Sequence, residues 1–421
     1  MSKKRILMIS QNFYPEIGSA ANRMKNIYQL LSAQGYYIKV ITTEPSYPNK
    51  NIYSDEKFWD ENDFNEDPNI TRSAVKTRKY SRNIMSRLLF YLEIALKMLL
   101  FIIKDKNKYD VVFVTSPAIF IGFVGLFAKY RYKAKLILDI RDLWPDSLSG
   151  VGVLNHPVII SVFSKLERIL YKAADKITVN SKGFINHILK DNSIREDKIT
   201  FLPNGARSFE LKESGKNVHE AKVIYAGNIG LAQDSAILME LSKKLFEQNI
   251  KMDVIGYGMK VGEFAKFVRE NKLANVSFIK PSTRKECLDI ISRYKVGIVS
   301  LNDKEVFDTV LPGKVIDYMT CGVPIVASVS GFSKEIIENE NVGFVSSEHS
   351  AESMIEDILY LVNNDNVQKL LQSNALNFVS RNLMWEENIW RLVELIEDRV
   401  VEREEKLQIN KRNTLDKVES I

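Results

Sequence analysis

The octapeptide Asp139-Ile140-Arg141-Asp142-Leu143-Trp144-Pro145-Asp146 places carboxylates and a guanidinium directly behind an apolar run. Burying charge there without a purpose would be costly. Such a cluster belongs either at a cleft or in an ion pair that ties a loop down with Trp144 as core. In Leu311-Pro312-Gly313-Lys314-Val315-Ile316-Asp317 a Pro-Gly loop opens a helix with a lysine in its first turn, and Gly322-Val323-Pro324 then turns into a strand. A helix N-terminus plus an ammonium group clamps a departing diphosphate, because both favour the negative charge that develops on it. A surface lysine that caps nothing fits the same letters. Tyr225-Ala226-Gly227-Asn228-Ile229-Gly230 follows another strand, and Gly227 and Gly230 would let amides approach a diphosphate. It lacks the third glycine of a dinucleotide fingerprint. Phe13 to Ala20 links a strand to a helix, with Gly18 permitting close approach of an anion or a sugar hydroxyl; a turn of small residues kept for packing explains it as well.

Other chemistries are excluded by what is missing. His156, His187, His219 and His349 show no zinc-type spacing, and no Asp-x-Asp pair occurs to hold a divalent ion against a diphosphate. Metal independence is expected, with no cofactor. Cys287 and Cys321 have no CxxC partner, which suits a reducing compartment and reads as two buried small hydrophobes. The apolar run Ile6–Ser10 is too short for a signal-peptide core, so a cytoplasmic location is expected.

The elements that must position these residues alternate. Strand Arg5–Ser10, helix Ala20–Ala33 and strand Tyr37–Thr43 form a βαβ unit, followed by β-branched runs at 111–115, 135–140, 176–180 and 198–202. A second series runs through 222–226, 252–255, 276–279, 296–301 and 324–328. Strands alternating with helices predict an α/β fold with parallel, doubly wound sheets. At 421 residues the chain exceeds one core. The polar stretch 206–220 is the expected linker between a domain at 1–205 and one at 221–380, and two such halves would face each other across a cleft. The charged end, 398–421, reads as a solvated helix end and a frayed tail, the tail proper being 406–421.

Taken in order, the Gly18 loop, Leu202-Pro203-Asn204-Gly205, Gly227-Asn228-Ile229-Gly230, Ile255-Gly256-Tyr257-Gly258 and the Lys314–Ser328 block resemble the retaining GT-B glycosyltransferases of family 4. Arg141-Asp142-Leu143-Trp144-Pro145 and Leu311-Pro312-Gly313-Lys314 look most like the subgroup that builds bacterial O-antigen and capsule units, the N-acetyl-L-fucosaminyl transferases in particular. The resemblance implies a UDP-sugar donor, retention at the anomeric carbon and a polyprenyl-diphosphate-sugar acceptor. It also implies that 381–405 packs back on the first domain. By the same resemblance the donor is held by Gly227, Asn228, Gly230, Gly256, Gly258, Lys280, Arg284, Pro312 and Gly313. The acceptor is met by Gly18, Asn22, Arg23 and Arg141, with Asp142, Lys314 and Asp317 at the chemistry. The chain departs from the family's Glu-x7-Glu pair, which falls at Thr309 and Asp317. Asn228 and Gln233 stand where the family has Arg and Lys, and Arg141 where it has a histidine. Two rivals share the expected fold: a UDP-N-acetylhexosamine 2-epimerase, and a non-catalytic membrane-bound assembly partner.

The formal charge of +6 is unevenly spread, with eight basic residues between Arg72 and Lys104 against Glu93 alone. Leu88–Ile103 is apolar but short of the roughly 20 residues that span a bilayer. At helical spacing Ser86, Glu93, Lys97 and Lys104 form one polar stripe. The segment 72–104 is therefore either a helix lying in the plane of the membrane's inner leaflet or a core helix with a solvated basic flank. Phe120–Phe127 with Lys129, Arg131, Lys133 and Lys135 would extend that surface. No RNA or DNA motif accompanies the charge, so no nucleic-acid partner is expected.

Overall fold

A computed structural model describes residues 3–75, 84–116, 119–191, 193–212, 222–346 and 349–400, with backbone alone at 84–87. The chain divides into two units, one running to Pro203 and resuming at Trp385, the other Asn204–Met384.

The first unit contains β1 (Arg5–Ile9), α1 (Ser19–Ala33), β2 (Tyr37–Thr43), α2 (Asn62–Asn65), β3 (Ile70–Ser73), α3 (Ile84–Lys104), β4 (Val111–Ser116) and α4 (Ile119–Tyr132). There follow β5 (Lys135–Ile140), α5 (Asp146–Gly150), α6 (Pro157–Ala173), β6 (Lys176–Val179), α7 (Gly183–Leu189) and β7 (Ile199–Phe201). The strands form one sheet in the order β3-β2-β1-β4-β5-β6-β7, every pair parallel. Inner strands are mostly apolar because helices cover both faces; β4 is buried at all six positions.

The second unit repeats the scheme with β8 (Lys222–Asn228), α8 (Ser235–Glu247), β9 (Lys251–Tyr257), α9 (Val261–Glu270), β10 (Val276–Ile279), α10 (Arg284–Ile291) and β11 (Val296–Ser300). It continues through α11 (Gly313–Thr320), β12 (Ile325–Ser328), α12 (Gly331–Asn339), β13 (Gly343–Val345), α13 (Ala351–Asn363) and α14 (Asp365–Asn382). Its sheet runs β10-β9-β8-β11-β12-β13, again all parallel. The α/β class expected from the alternation holds, as two separate sheets.

The last helix, α15 (Trp385–Glu397), packs beside α1 and places Trp385, Trp390 and Leu392 in the core of the first unit with Ile6, Met24 and Phe113. Of the expected linker, Ser208–Glu210 form a single 3-10 turn and Lys212 pairs with Asp289 at 2.7 Å. Residues 213–220 lie outside the described residues, as does the tail 406–421.

Candidate functional site

In each sheet the chain reverses direction between two central strands, β1/β4 in the first and β8/β11 in the second. Ligands of open parallel sheets sit outside the carboxyl ends of strands at such points.

In the second unit β8 leads into Gly227, whose φ of 131° is left-handed, and a Cβ there would stand 3.4 Å from Lys314 Cε. Lys314 comes from the first turn of α11, whose N-cap is Pro312. Its stem is half-buried but its Nζ is buried, has no hydrogen-bond partner among the described residues, and lies 3.6 Å from the centroid of the Tyr225 ring. Burial pulls this lysine down to about 7, close to half-protonated at neutral pH. Tyr225 is itself fixed, its hydroxyl donating to the Asn228 carbonyl at 2.7 Å. The side chain of Asn228 fills the space beside Gly230 and Gly258: a Cβ on Gly258, at φ 109°, would lie 2.0 Å from Asn228 Oδ1. Gly256 pairs with Gly227 in the β8–β9 ladder.

Two expectations for this unit need correction. The Gly227–Gly230 segment was expected to turn bare amides toward a diphosphate, yet the Ile229 amide donates to the Tyr257 carbonyl at 2.7 Å and the Gly230 amide to Gln233 Oε1 at 2.9 Å. Arg284 was expected to grip the donor. Instead its Nε meets Glu210 Oε1 at 2.5 Å, Nη2 meets Glu210 Oε2 at 3.3 Å, and Nη1 meets Asp317 Oδ1 at 2.9 Å. Burial works against that charge, but Asp317 and Glu210 outweigh it and raise the guanidinium above its ordinary value. Arg284 thus fastens α10 and α11 to the turn at Ser208–Glu210, and Asp317 is engaged with it. Lys280, at the end of β10, is exposed.

In the first unit the loop after β1 is held by Glu16, which accepts from the amides of Ser46 at 2.8 Å and Tyr47 at 3.1 Å and from the Asn12 side chain. Burial lifts the Glu16 carboxyl, and the field of Arg141 is among the effects opposing it. Gly18, at φ 119°, caps α1. Arg141 is half-buried with its Nε buried and without a hydrogen-bond partner among the described residues. Burial pulls this guanidinium below its ordinary value, against the pull of Asp139 and Asp142. Asp142 accepts from Ser147 Oγ at 2.9 Å and from the Leu143 amide at 3.0 Å, and burial lifts its carboxyl. Asn22, one turn into α1, is half-buried and accepts from the Asn26 side chain.

Arg23 corrects another expectation. Its side chain is fully buried, bound to Asp139 at 2.7 and 3.0 Å and to the Leu202 carbonyl at 2.8 Å, and it lies over the Trp385 ring. No acceptor reaches a guanidinium so enclosed. Arg23 joins α1, β5, the end of β7 and α15.

Three residues escaped the sequence reading. Tyr225 supplies the ring under Lys314 and Glu210 the carboxylate on Arg284; neither carries a local signal, since both contacts are made across the fold. Glu167, on α6, is pushed up to about 8 by burial and accepts from Tyr171 at 2.5 Å, so at neutral pH it holds a proton near Asp142 and Asp146. Among the described residues no group of His, Cys, Asp and Glu is placed to hold a metal ion.

Residues 18–205 match the model of the glycosyl transferase 4-like domain, and residues 206–378 that of glycosyl transferases group 1. An uncharacterized glycosyltransferase of Methanocaldococcus jannaschii is 25% identical over 64% of this chain and 69% of its own. A protein of Escherichia coli named as a colanic acid biosynthesis glycosyl transferase is 20% identical over 78% of this chain and 84% of its own. The crystal structure of Anabaena HepE in complex with UDP and glucose superposes with a TM-score of 0.67 at 13% identity, covering 94% of this chain and all (100%) of that one.

Proposed function

The chain is a glycosyltransferase of GT-B type, a 4-like domain followed by a group 1 domain, and from that premise we propose that it moves an N-acetylamino sugar from a UDP donor to a polyprenyl-diphosphate-linked sugar with retention at the anomeric carbon. By the resemblance of Arg141–Pro145 and Leu311–Lys314 the sugar is N-acetyl-L-fucosamine and the product a capsule or O-antigen unit. The colanic acid name of the Escherichia coli relative is consistent with that class.

The carrying observation is the Nζ of Lys314, buried beside the left-handed Gly227 with no hydrogen-bond partner among the described residues. An ammonium group so placed lacks only an anion. In this reading the UDP diphosphate takes that position at the N-terminus of α11, with Pro312 and Gly313 allowing close approach; Lys314 becomes fully charged when the diphosphate binds, and faces the negative charge that develops as the bond from sugar to phosphate breaks. The first unit takes the acceptor near Gly18, Asn22 and Arg141, with Asp142 orienting the attacking hydroxyl. The departing phosphate receives that hydroxyl's proton, which leaves Asp142 a positioning role. A polyprenyl acceptor places the work at the cytoplasmic leaflet of the cell membrane.

The test is to incubate the protein with a panel of UDP-sugars and a polyprenyl-diphosphate monosaccharide, following UDP release and the mass of the lipid. Equal release and mass gain are expected. A UDP-sugar altered without UDP release would make the protein an isomerase, and no UDP-sugar binding in calorimetry would make it a non-catalytic partner.

A further inference from the structure

The connections β3 to β4, β4 to β5 and β5 to β6 all advance in one direction across the first sheet. Right-handed crossovers therefore set α3, α4 and α6 together on one face, and α1 on the other. On that shared face α4 lies between α3 and α6. Tyr91 of α3, Trp144, Phe163 of α6 and Phe120 of α4 form a chain of edge-to-face rings.

Of the polar stripe expected on α3, Lys104 is exposed and the side chain of Ser86 lies outside the described residues. Glu93 and Lys97 are half-buried, pair at 2.9 Å, and Lys97 donates to the Ala74 carbonyl. The outward side is instead Leu89, Leu92, Leu96, Leu100 and Ile103, each 46% to 54% exposed and spaced three or four apart along the helix. Val158, Ile159, Val162 and Ile169 on α6 are 39% to 63% exposed. A helix facing water carries polar residues on that side.

Charge surrounds these stripes. The three helices carry eight Lys or Arg against two carboxylates of their own, and Lys129 and Lys172 are paired with Asp175 and Asp191 beyond them. Glu93 cancels Lys97, one of the eight, and Glu167 is buried. Lys104, Arg131, Lys165 and Arg168 are exposed. Arg72, by contrast, turns inward to the Tyr14 carbonyl, and Lys76, Arg78, Lys79 and Arg82 lie outside the described residues.

We infer that the α3–α6 face docks on an anionic lipid bilayer, its leucine and valine stripes entering the headgroup layer while the flanking cations meet lipid phosphates. No helix among the described residues is long and apolar enough to cross a membrane, so the contact lies in the plane of the surface. A second copy of the chain is a poorer occupant, because it would oppose the same positive face to itself. Trp144 touches Tyr91 of α3 and Phe163 of α6, so docking these helices holds the Arg141–Asp146 loop at the lipid surface. The inference rests on the lipid-linked acceptor proposed above and adds which face meets the membrane, including α6, and which lipid charge it needs.

The full chain is sedimented with vesicles of phosphatidylcholine alone or with phosphatidylglycerol added, as wild type, as Leu92→Ser/Leu96→Ser and as Val158→Ser/Val162→Ser. Wild type is expected on the anionic vesicles, released by salt, and each double variant is expected to bind them roughly tenfold or more weakly. Melting and UDP-sugar binding should be unchanged in the variants. Equal binding to both vesicle types would overturn the inference, as would α6 variants that bind like wild type or a wild-type dimer that the leucine variant dissociates. Transfer to a soluble acceptor without vesicle binding would remove the docking face alone. Vesicle binding without UDP-sugar binding would remove the transferase reading alone.

Discussion

Lys314 draws its chemistry from what surrounds it rather than from its own type. A lysine in water stays charged throughout the physiological range, whereas this one titrates at about 7 because burial costs the charged form its hydration. A UDP-sugar has no group of its own titrating near neutrality, so the proton dependence of its binding reports the protein. Below about pH 7 the ammonium is already charged and affinity should be greatest. Above it each binding event takes up a proton, and affinity should fall by up to about tenfold per pH unit. Calorimetry at about pH 8 in two buffers of different ionisation enthalpy should show uptake approaching one proton. Lys314→Met should flatten the profile and lower kcat/KM about a hundredfold, near 3 kcal/mol of barrier; an unchanged pH slope in that variant would take Lys314 out of the binding site. Arg284 leads to the opposite expectation. Arg284→Met strands Glu210 and Asp317, and should cost stability on the order of 3 kcal/mol in thermal melts. Its KM for the UDP-sugar should change little beside that loss, and a large rise in KM with an unchanged melt would restore Arg284 as a donor contact. The lysine's setting was legible because Pro-Gly-Lys is a local signal for the start of a helix. The Arg284–Glu210 pair was not, since its partners are 74 residues apart and no periodicity links them.

At the scale of elements the strands were readable because parallel inner strands are buried on both faces, which turns them into short β-branched runs bounded by turns. Which way a helix faces was harder to read. The polar residues of α3 look like its wet side in sequence, but Lys97 reaches the Ala74 carbonyl and leaves leucines outward. The buried pair Arg23–Asp139 was similarly hidden, for its members are 116 residues apart and the resemblance had set Arg23 at the acceptor. In the fold it joins α1 to β5, while Thr178 of β6 also donates to Asp139 at 2.7 Å. Removing one member leaves the other charged and dry, so Arg23→Met should destabilise the first unit by roughly 3–5 kcal/mol. Arg23→Met with Asp139→Leu should recover part of that loss, since no charge is then stranded. Recovery should be incomplete because Thr178 and the Leu202 carbonyl each lose a partner. Urea titrations of the three proteins measure this, and a double variant no more stable than the single one would contradict the pairing.

At the scale of the whole chain, the two units are not equally independent along the sequence. The second is one continuous stretch, Asn204–Met384, with a core made of its own residues, such as Val223, Leu238, Val296 and Met354. The first is closed only when the chain returns as α15. Trp385 and Trp390 are among its largest fully buried side chains, and Trp385 lies over Arg23 at the centre of the charged tie. Replacing them with water would expose several hundred Å² of apolar surface, on the order of 5 kcal/mol or more at about 25 cal/mol per Å². That is as large as the net stability of many domains. A chain cut after Met384 should therefore keep a folded second unit and lose the first. The stretch Asn204–Met384 made alone should melt cooperatively and bind a UDP-sugar within roughly tenfold of the intact protein, because Lys314, Tyr225 and Gly227 all lie within it. A fragment ending at Pro203 should show no cooperative melt until a peptide of the α15 sequence is added. If that fragment folds unaided, α15 is an ornament on a complete core; if the second stretch folds but ignores UDP-sugars, the nucleotide site needs more than the residues around Lys314.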